Sequence, residues 1–268
     1  AIDLLRQAIT APRFDADAIE RVRGQVLAGL RSDAKDPDAI AGDMFRKKAF
    51  GDHPYGRDGS GTLGSVAALT RDDLLAAHRA TLARDRVFVA AAGDISPEEL
   101  GLLLDTLLGG LPETGAPQIG RAEVALTGGL TVEPFPGPQS VILFGHSGIK
   151  RDDPDFFAAT ILNEVLGGGG FSARLMTEVR EKRGLTYGIG TSLVGYDHAE
   201  LVMGQTAVGN ARVAEAVQVL GGRTLVLTTT LNAMRSIGEQ LQRLGDATMN
   251  IEVLVQGQSP KRRLMERF

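Results

Sequence analysis

The sequence predicts an α+β fold in two domains, residues 1–115 and 116–268. Three observations lead there. At 268 residues with 43% hydrophobic side chains, the chain exceeds one average domain and has material for two cores. Helical-period segments and short apolar runs occur in both halves, and the apolar runs of the second half are spaced as hairpins rather than as alternating strand and helix. Between the halves, LPETGAPQIGRAE (Leu111–Glu123) has the proline and glycine content of a linker.

Ala1–Thr10 and Asp15–Arg31 carry apolar residues at helical spacing, separated by a break at Pro12-Arg13, with Asp15 placed as an N-cap. AKDPDAIAGDMFRKKAFG (Ala34–Gly51) predicts a third helix, and HPYGRDGSGT (His53–Thr62) a loop. LTRDDLLAAHRATL (Leu69–Leu82) begins on a capping box, Thr70 to Asp73, with aspartate in the place glutamate usually takes. The run Arg86–Ile95, RVFVAAAGDI, is apolar and partly β-branched, and predicts a buried strand. A helix follows, with Ser96 as N-cap, Pro97 at the first helical position and Gly109-Gly110 as its stop.

In the second half, TGGLTVEPF (Thr127–Phe135) and QSVILFGHSGI (Gln139–Ile149) predict two strands. A helix is expected from near Asp153 to the glycines at 167–170, and another from Ser172 to about Arg183, with Gly184 in the left-handed position that ends it. GLTYGIGTSLVGYDHAELVMGQTAV (Gly184–Val208) then predicts a hairpin turning near Tyr196–Ala199.

A net charge of -4, with acids and bases interspersed, creates no field that gathers nucleic acid. No apolar run reaches the roughly 18 residues of a membrane span. The absence of cysteine rules out disulfides, thiolate metal sites and a cysteine nucleophile, and leaves the compartment open between cytoplasm and periplasm. The chain starts at once on a helical pattern without a signal-peptide design, which leads us to expect that it continues from residues upstream.

GGGGFSARL (Gly167–Leu175) is not a phosphate loop, since no Lys-Ser/Thr pair follows its glycines; they are expected to end one helix and let the next begin close by. His53, His78, His146 and His198 form no H-x-x-E-H, H-E-x-x-H or H-x-H pattern, which leaves them as loop-organising or packing residues. No G-x-S-x-G elbow supports a serine nucleophile. Arg180 and Tyr187 stand out because tyrosine occurs only three times in the chain and Gly184 lets the strand turn back beside the helix. Read from the residues alone, two possibilities stay open: donors converging on one place, or a solvated charge and an ordinary strand aromatic.

NEVLGGGGFSARLMTEVREKRGLTYGIGTS closely resembles the second half of the pitrilysin, insulin-degrading enzyme and mitochondrial processing peptidase family of zinc peptidases. FDADAIERVRGQVLAGL, FGDHPYGRDGSGT, LTRDDLLAAHRATL and RVFVAAAGDI resemble the later part of that family's first domain. The resemblance spans roughly residues 10–215 and implies two related α/β-sandwich domains, the first incomplete at its N-terminus. Active members carry an inverted zinc motif, H-x-x-E-H, on a helix not found in this chain, and a further glutamate on a later helix. Matching Glu20-Arg21-Val22-Arg23 to the family's Glu-Arg-Glu-Arg puts Val22 at the accessory glutamate and Gly29 at the third zinc ligand. Neither offers a donor.

The family's arginine and tyrosine, which hold the scissile carbonyl or its oxyanion, match Arg180 and Tyr187. A guanidinium and a phenol hydroxyl are donors suited to negative charge developing on oxygen. The resemblance thus implies a non-metal-binding subunit of a heteromeric peptidase, with no cofactor of its own, zinc on a homologous partner subunit, and a peptide as substrate. Two rivals follow. An inert assembly protein of the same fold would have no need of the Arg180/Tyr187 pair, and a fragment of an active peptidase is opposed by Gly29. The stretch 221–268 departs from the family's closing helix and strands.

Overall fold

The computed structural model describes residues 2–219, 224–228 and 253–255, so the departure from the family over 221–268 lies mostly outside the described residues. In chain order the helices are α1 (Ile2–Thr10), α2 (Ala16–Asp33), α3 (Pro37–Phe50), α4 (Leu63–Ala68), α5 (Arg71–Thr81), α6 (Pro97–Leu108), α7 (Phe156–Asn163) and α8 (Val213–Val219). The strands are β1 (Leu130–Pro134), β2 (Gln139–Ser147), β3 (Thr186–Tyr196), β4 (Ala199–Gly209), β5 (Thr224–Thr228) and β6 (Val253–Val255). This is the predicted α+β class. Packing divides the chain into two units, Ala1–Ser32 with Ser60–Ile119, and Asp33–Gly59 with Gly120–Phe268.

The first unit is helical, and its helix ends are set by local chemistry. Thr70 and Asp73 close a capping box at the start of α5, with Thr70 N–H donating to Asp73 at 2.8 Å. Ser96 and Glu99 do the same at α6, where Pro97 takes the first helical position. Each cap satisfies backbone donors that a helix start leaves free. Arg23 of α2 donates to the carbonyls of Val66 and Leu69 at 2.5 and 2.8 Å, covering acceptors at the end of α4.

Arg86–Ile95 departs from expectation. After a 3₁₀ turn at Arg84–Arg86 the backbone enters no strand, and Phe88 and Val89 are 97% and 49% exposed. The run has strand propensity, but a strand exists only by pairing, and the described residues of this unit contain no other strand to pair with.

The second unit is layered. Its sheet has the order β3-β4-β2-β5-β1-β6, with antiparallel pairs from β3 to β5 and parallel pairs among β5, β1 and β6. The apolar run in β2 is continuous because both faces of that strand are covered: Val141 and Leu143 pack with Ala41, Phe45, Ala49 and Phe50 of α3, while Ile142 packs on the opposite side with Val179, Ile189, Val208 and Val213. The HPYG loop belongs to the α3 side. Tyr55 lies against Tyr196 with ring centroids 4.8 Å apart and the rings tilted by 32°, and its hydroxyl accepts the His198 N–H at 3.3 Å, so the loop docks on the predicted hairpin turn.

Candidate functional site

The glycine run explains how the site is framed. After α7 the chain makes a π-helical turn, Glu164–Gly168, that lies directly on β3. A Cβ at Gly167 would fall 2.8 Å from the Thr191 backbone nitrogen and closer still to the Thr191 hydroxyl, so only glycine lets the turn approach the strand. Gly167→Ala is therefore expected to destabilise the fold by about 1–3 kcal/mol, the usual range for overpacking. A urea midpoint unchanged from wild type would show that the contact relaxes freely.

Arg180 sits in a second π-helical turn, Met176–Glu181, whose inner residues Met176 and Val179 are buried. Its neighbours are committed elsewhere. Glu178 accepts from Lys182 at 2.6 Å and Arg183 at 3.0 Å, and these contacts, Lys182's foremost, hold the Glu178 carboxyl below its ordinary range. Arg180 itself is partly buried, with its guanidinium carbon 5.0 Å from the centre of the Phe171 ring. Among the described residues it makes no ion pair.

The segment ends at Gly184, whose φ of 57° is the left-handed conformation expected there, and the Leu185 N–H donates back to the Val179 carbonyl at 3.0 Å. That reversal starts β3 alongside the turn: Ile189 N–H points at Met176 Sδ, 3.4 Å away. Tyr187, the second residue of β3, is 88% exposed. It occupies a bulge, because Thr186 faces Val208 and Ile189 faces Thr206, so three steps along β3 match two along β4.

Arg180 and Tyr187 thus stand on adjoining elements, and among the described residues no hydrogen bond or ring contact joins them. What the sequence did not mark is the support beneath the bulge. Thr186 Oγ1 accepts the Gly188 N–H at 3.1 Å and lies 2.8 Å from the Ala207 carbonyl, while Thr206 Oγ1 lies 2.8 Å from both Thr186 Oγ1 and the Gly188 carbonyl. A hydroxyl residue two positions before a glycine, as in Thr186-Tyr187-Gly188, is the available signal for such a turn. Beside it, an open groove of about 490 Å³ runs along β3 and β4, lined by Gly188, Gly190, Ser192, Met203 and Gln205 among others.

The two positions matched to the family's acidic residues, Val22 and Gly29, lie on α2. Val22 is 47% exposed, and a Cβ at Gly29 would meet nothing within 4 Å. Seven residues apart on a helix, the two share one face, and neither supplies an electron pair for a metal. Among the described residues no three His, Asp or Glu side chains are grouped to hold an ion. His53 organises its loop, accepting the Tyr55 N–H at 3.2 Å and bonding Gly120 O at 3.1 Å, and His78 packs edge-on against Phe14. No helix among the described residues is long and apolar enough to cross a membrane.

Comparison with known proteins gives a consistent picture. The family model described as peptidase M16 inactive domain matches residues 68–220. An uncharacterized zinc protease of Mycobacterium leprae is 30% identical over 224 residues, covering 82% of this chain and 50% of that protein. A Helicobacter pylori protein named non-peptidase homolog YmxG is 27% identical over 190 residues, covering 70% of this chain and 44% of its own. The crystal structure of a peptidase M16 inactive domain from Pseudomonas fluorescens superimposes with a TM-score of 0.75 at 27% identity, covering 93% of this chain and 61% of that one. The chain spans about half the length of the curated relatives it matches.

Proposed function

From the premise that this chain belongs to the peptidase M16 family, whose inactive-domain model it matches, we propose that it is the non-metal-binding member of a heteromeric zinc peptidase. In this reading residues 1–115 are the later part of a first peptidase-like domain and 116–268 a second, which brings Arg180 and Tyr187 to a homologous subunit's zinc site. A metal held by the partner would supply the Lewis acid and activate the water; this chain's contribution is its donors. The Tyr187 hydroxyl and the Arg180 guanidinium hydrogen-bond the oxygen of the scissile carbonyl as charge gathers on it, an interaction stronger in the transition state than in the ground state.

The observation that carries the reading is a contrast within one chain. A solvent-facing tyrosine and an arginine that has no acidic partner among the described residues stand on adjoining elements, while the face of α2 that should bear zinc ligands carries Val22 and Gly29. A second reading, an inert assembly subunit, draws on the relative named a non-peptidase homolog.

The test is reconstitution. The purified chain alone is expected to hold well under one zinc per chain after dialysis and to cleave no extended peptide. Mixed with a homologous chain bearing H-x-x-E-H, it is expected to raise that chain's rate of peptide hydrolysis. A stoichiometric, tightly held zinc, or a partner rate unmoved by the mixing, would overturn the proposal; binding without a change in rate would favour the assembly reading.

A further inference from the structure

The bulge under Tyr187 poses a problem that the fold solves with two hydroxyls. Where Tyr187 and Gly188 of β3 face the single Ala207 of β4, ladder pairing fails and backbone groups lose their partners. Gly188 N–H, Gly188 C=O and Ala207 C=O all find threonine oxygens instead, at 3.1, 2.8 and 2.8 Å. Gly188 O lies 2.8 Å from both threonine oxygens, but each hydroxyl carries one proton: with Thr186 donating to Ala207 O and accepting from Gly188 N–H, Thr206 is left to donate to Gly188 O.

Thr206 is only 3% exposed, and Ile189 and Val208 beside it are core residues. A valine has the same shape and would suit that environment without a polar atom to satisfy. Tyr187, by contrast, is 88% exposed and among the described residues makes no ring contact or hydrogen bond of its own side chain. Its direction is therefore inherited from the backbone on either side of it, at Thr186 and Gly188.

We propose that Thr206, acting with Thr186, is a positioning residue that locks the β3 bulge and thereby sets the direction in which Tyr187 leaves the strand. The catalytic sense of this rests on the function proposed above, but the mechanical sense does not. The experiment therefore has two arms, applied to Thr206→Val, Thr206→Ser and Tyr187→Phe. In the isolated chain, amide hydrogen exchange at Gly188 is followed by NMR, together with the melting temperature. In the mixture with the zinc-bearing homologous chain, kcat and KM are measured on an extended fluorogenic peptide.

Thr206→Val is expected to speed exchange at Gly188 by about tenfold or more while distant core amides stay protected. In the mixture it is expected to lower kcat by roughly ten- to a hundredfold with KM little changed, as misplacement of a catalytic group does. Thr206→Ser keeps the hydroxyl and should restore both readouts, which a merely space-filling role would not produce. Unchanged exchange in Thr206→Val overturns the proposal outright. Faster exchange with an unchanged kcat, in a mixture where Tyr187→Phe is impaired, overturns positioning and leaves the proposed function standing. A silent Tyr187→Phe overturns the proposed function instead, and the exchange arm alone then decides whether the hydroxyls hold the bulge.

Discussion

Tyr187→Phe is expected to lower the turnover of the reconstituted peptidase about a hundredfold, the usual loss when one oxyanion donor is removed. The size of the effect comes from the timing of the interaction. A hydroxyl that engages only as the carbonyl oxygen gains charge contributes to kcat and little to substrate affinity, so KM should stay near its original value. Stability should not change by more than about 0.5 kcal/mol, because the tyrosine ring is 88% exposed and no packing is lost with its oxygen. Arg180→Ala should impair turnover at least as much, with an added structural contribution from losing the guanidinium over Phe171, where the centroid distance is 5.0 Å. Turnover and melting temperature measured together separate these effects. If Tyr187→Phe leaves turnover intact and Arg180→Ala loses it only in step with stability, the two residues belong to the fold and not to the chemistry.

Ile142→Ala is expected to destabilise the second unit by about 2–5 kcal/mol, the range for emptying a core site. Ile142 is fully buried on β2, paired in register on one side with Thr206 of β4 and on the other with Val226 of β5, and its side chain packs in one cluster with Val179 and Val213. The upper part of the range is favoured because the surrounding groups are held by the sheet on one side and by the π-helical turn and α8 on the other, which leaves little freedom to collapse. A urea titration followed by far-ultraviolet circular dichroism reads the change directly. A loss below about 1 kcal/mol would mean that the space closes after all.

The elements legible in the sequence are those whose cause is local. Thr70 with Asp73 and Ser96 with Glu99 mark helix starts because each box is closed within four residues. The turn between Tyr196 and Ala199 and the left-handed Gly184 are read for the same reason. Arg86–Ile95 misleads because strand propensity describes one segment whereas a ladder requires two. The site divides along the same line. The spacing of Arg180 and Tyr187 is written in one stretch of chain, but the bulge that orients Tyr187 exists only in the register of β3 against β4, and its buried support, Thr206, lies 20 residues from its partner Thr186. The grouping of Asp33–Gly59 with residues after Gly120 is likewise invisible to periodicity, since Phe45 and Phe50 look the same whichever sheet they cover.

That grouping sets an order of events during synthesis. α3 and the HPYG loop leave the ribosome well ahead of their partners: Asp38 bonds Gln205, 167 residues on, and Tyr55 receives the His198 N–H, 143 residues on. Until β2 and β4 have been made, the sheet face that Phe45 and Phe50 cover does not exist, and they travel as apolar side chains in an unfinished chain. Closing such a long loop carries an entropic cost before any contact rewards it, so this unit should assemble late, slowly and all at once. The nascent polypeptide is then most in need of a holding chaperone over the interval between the end of α3 and the completion of the β3–β4 hairpin.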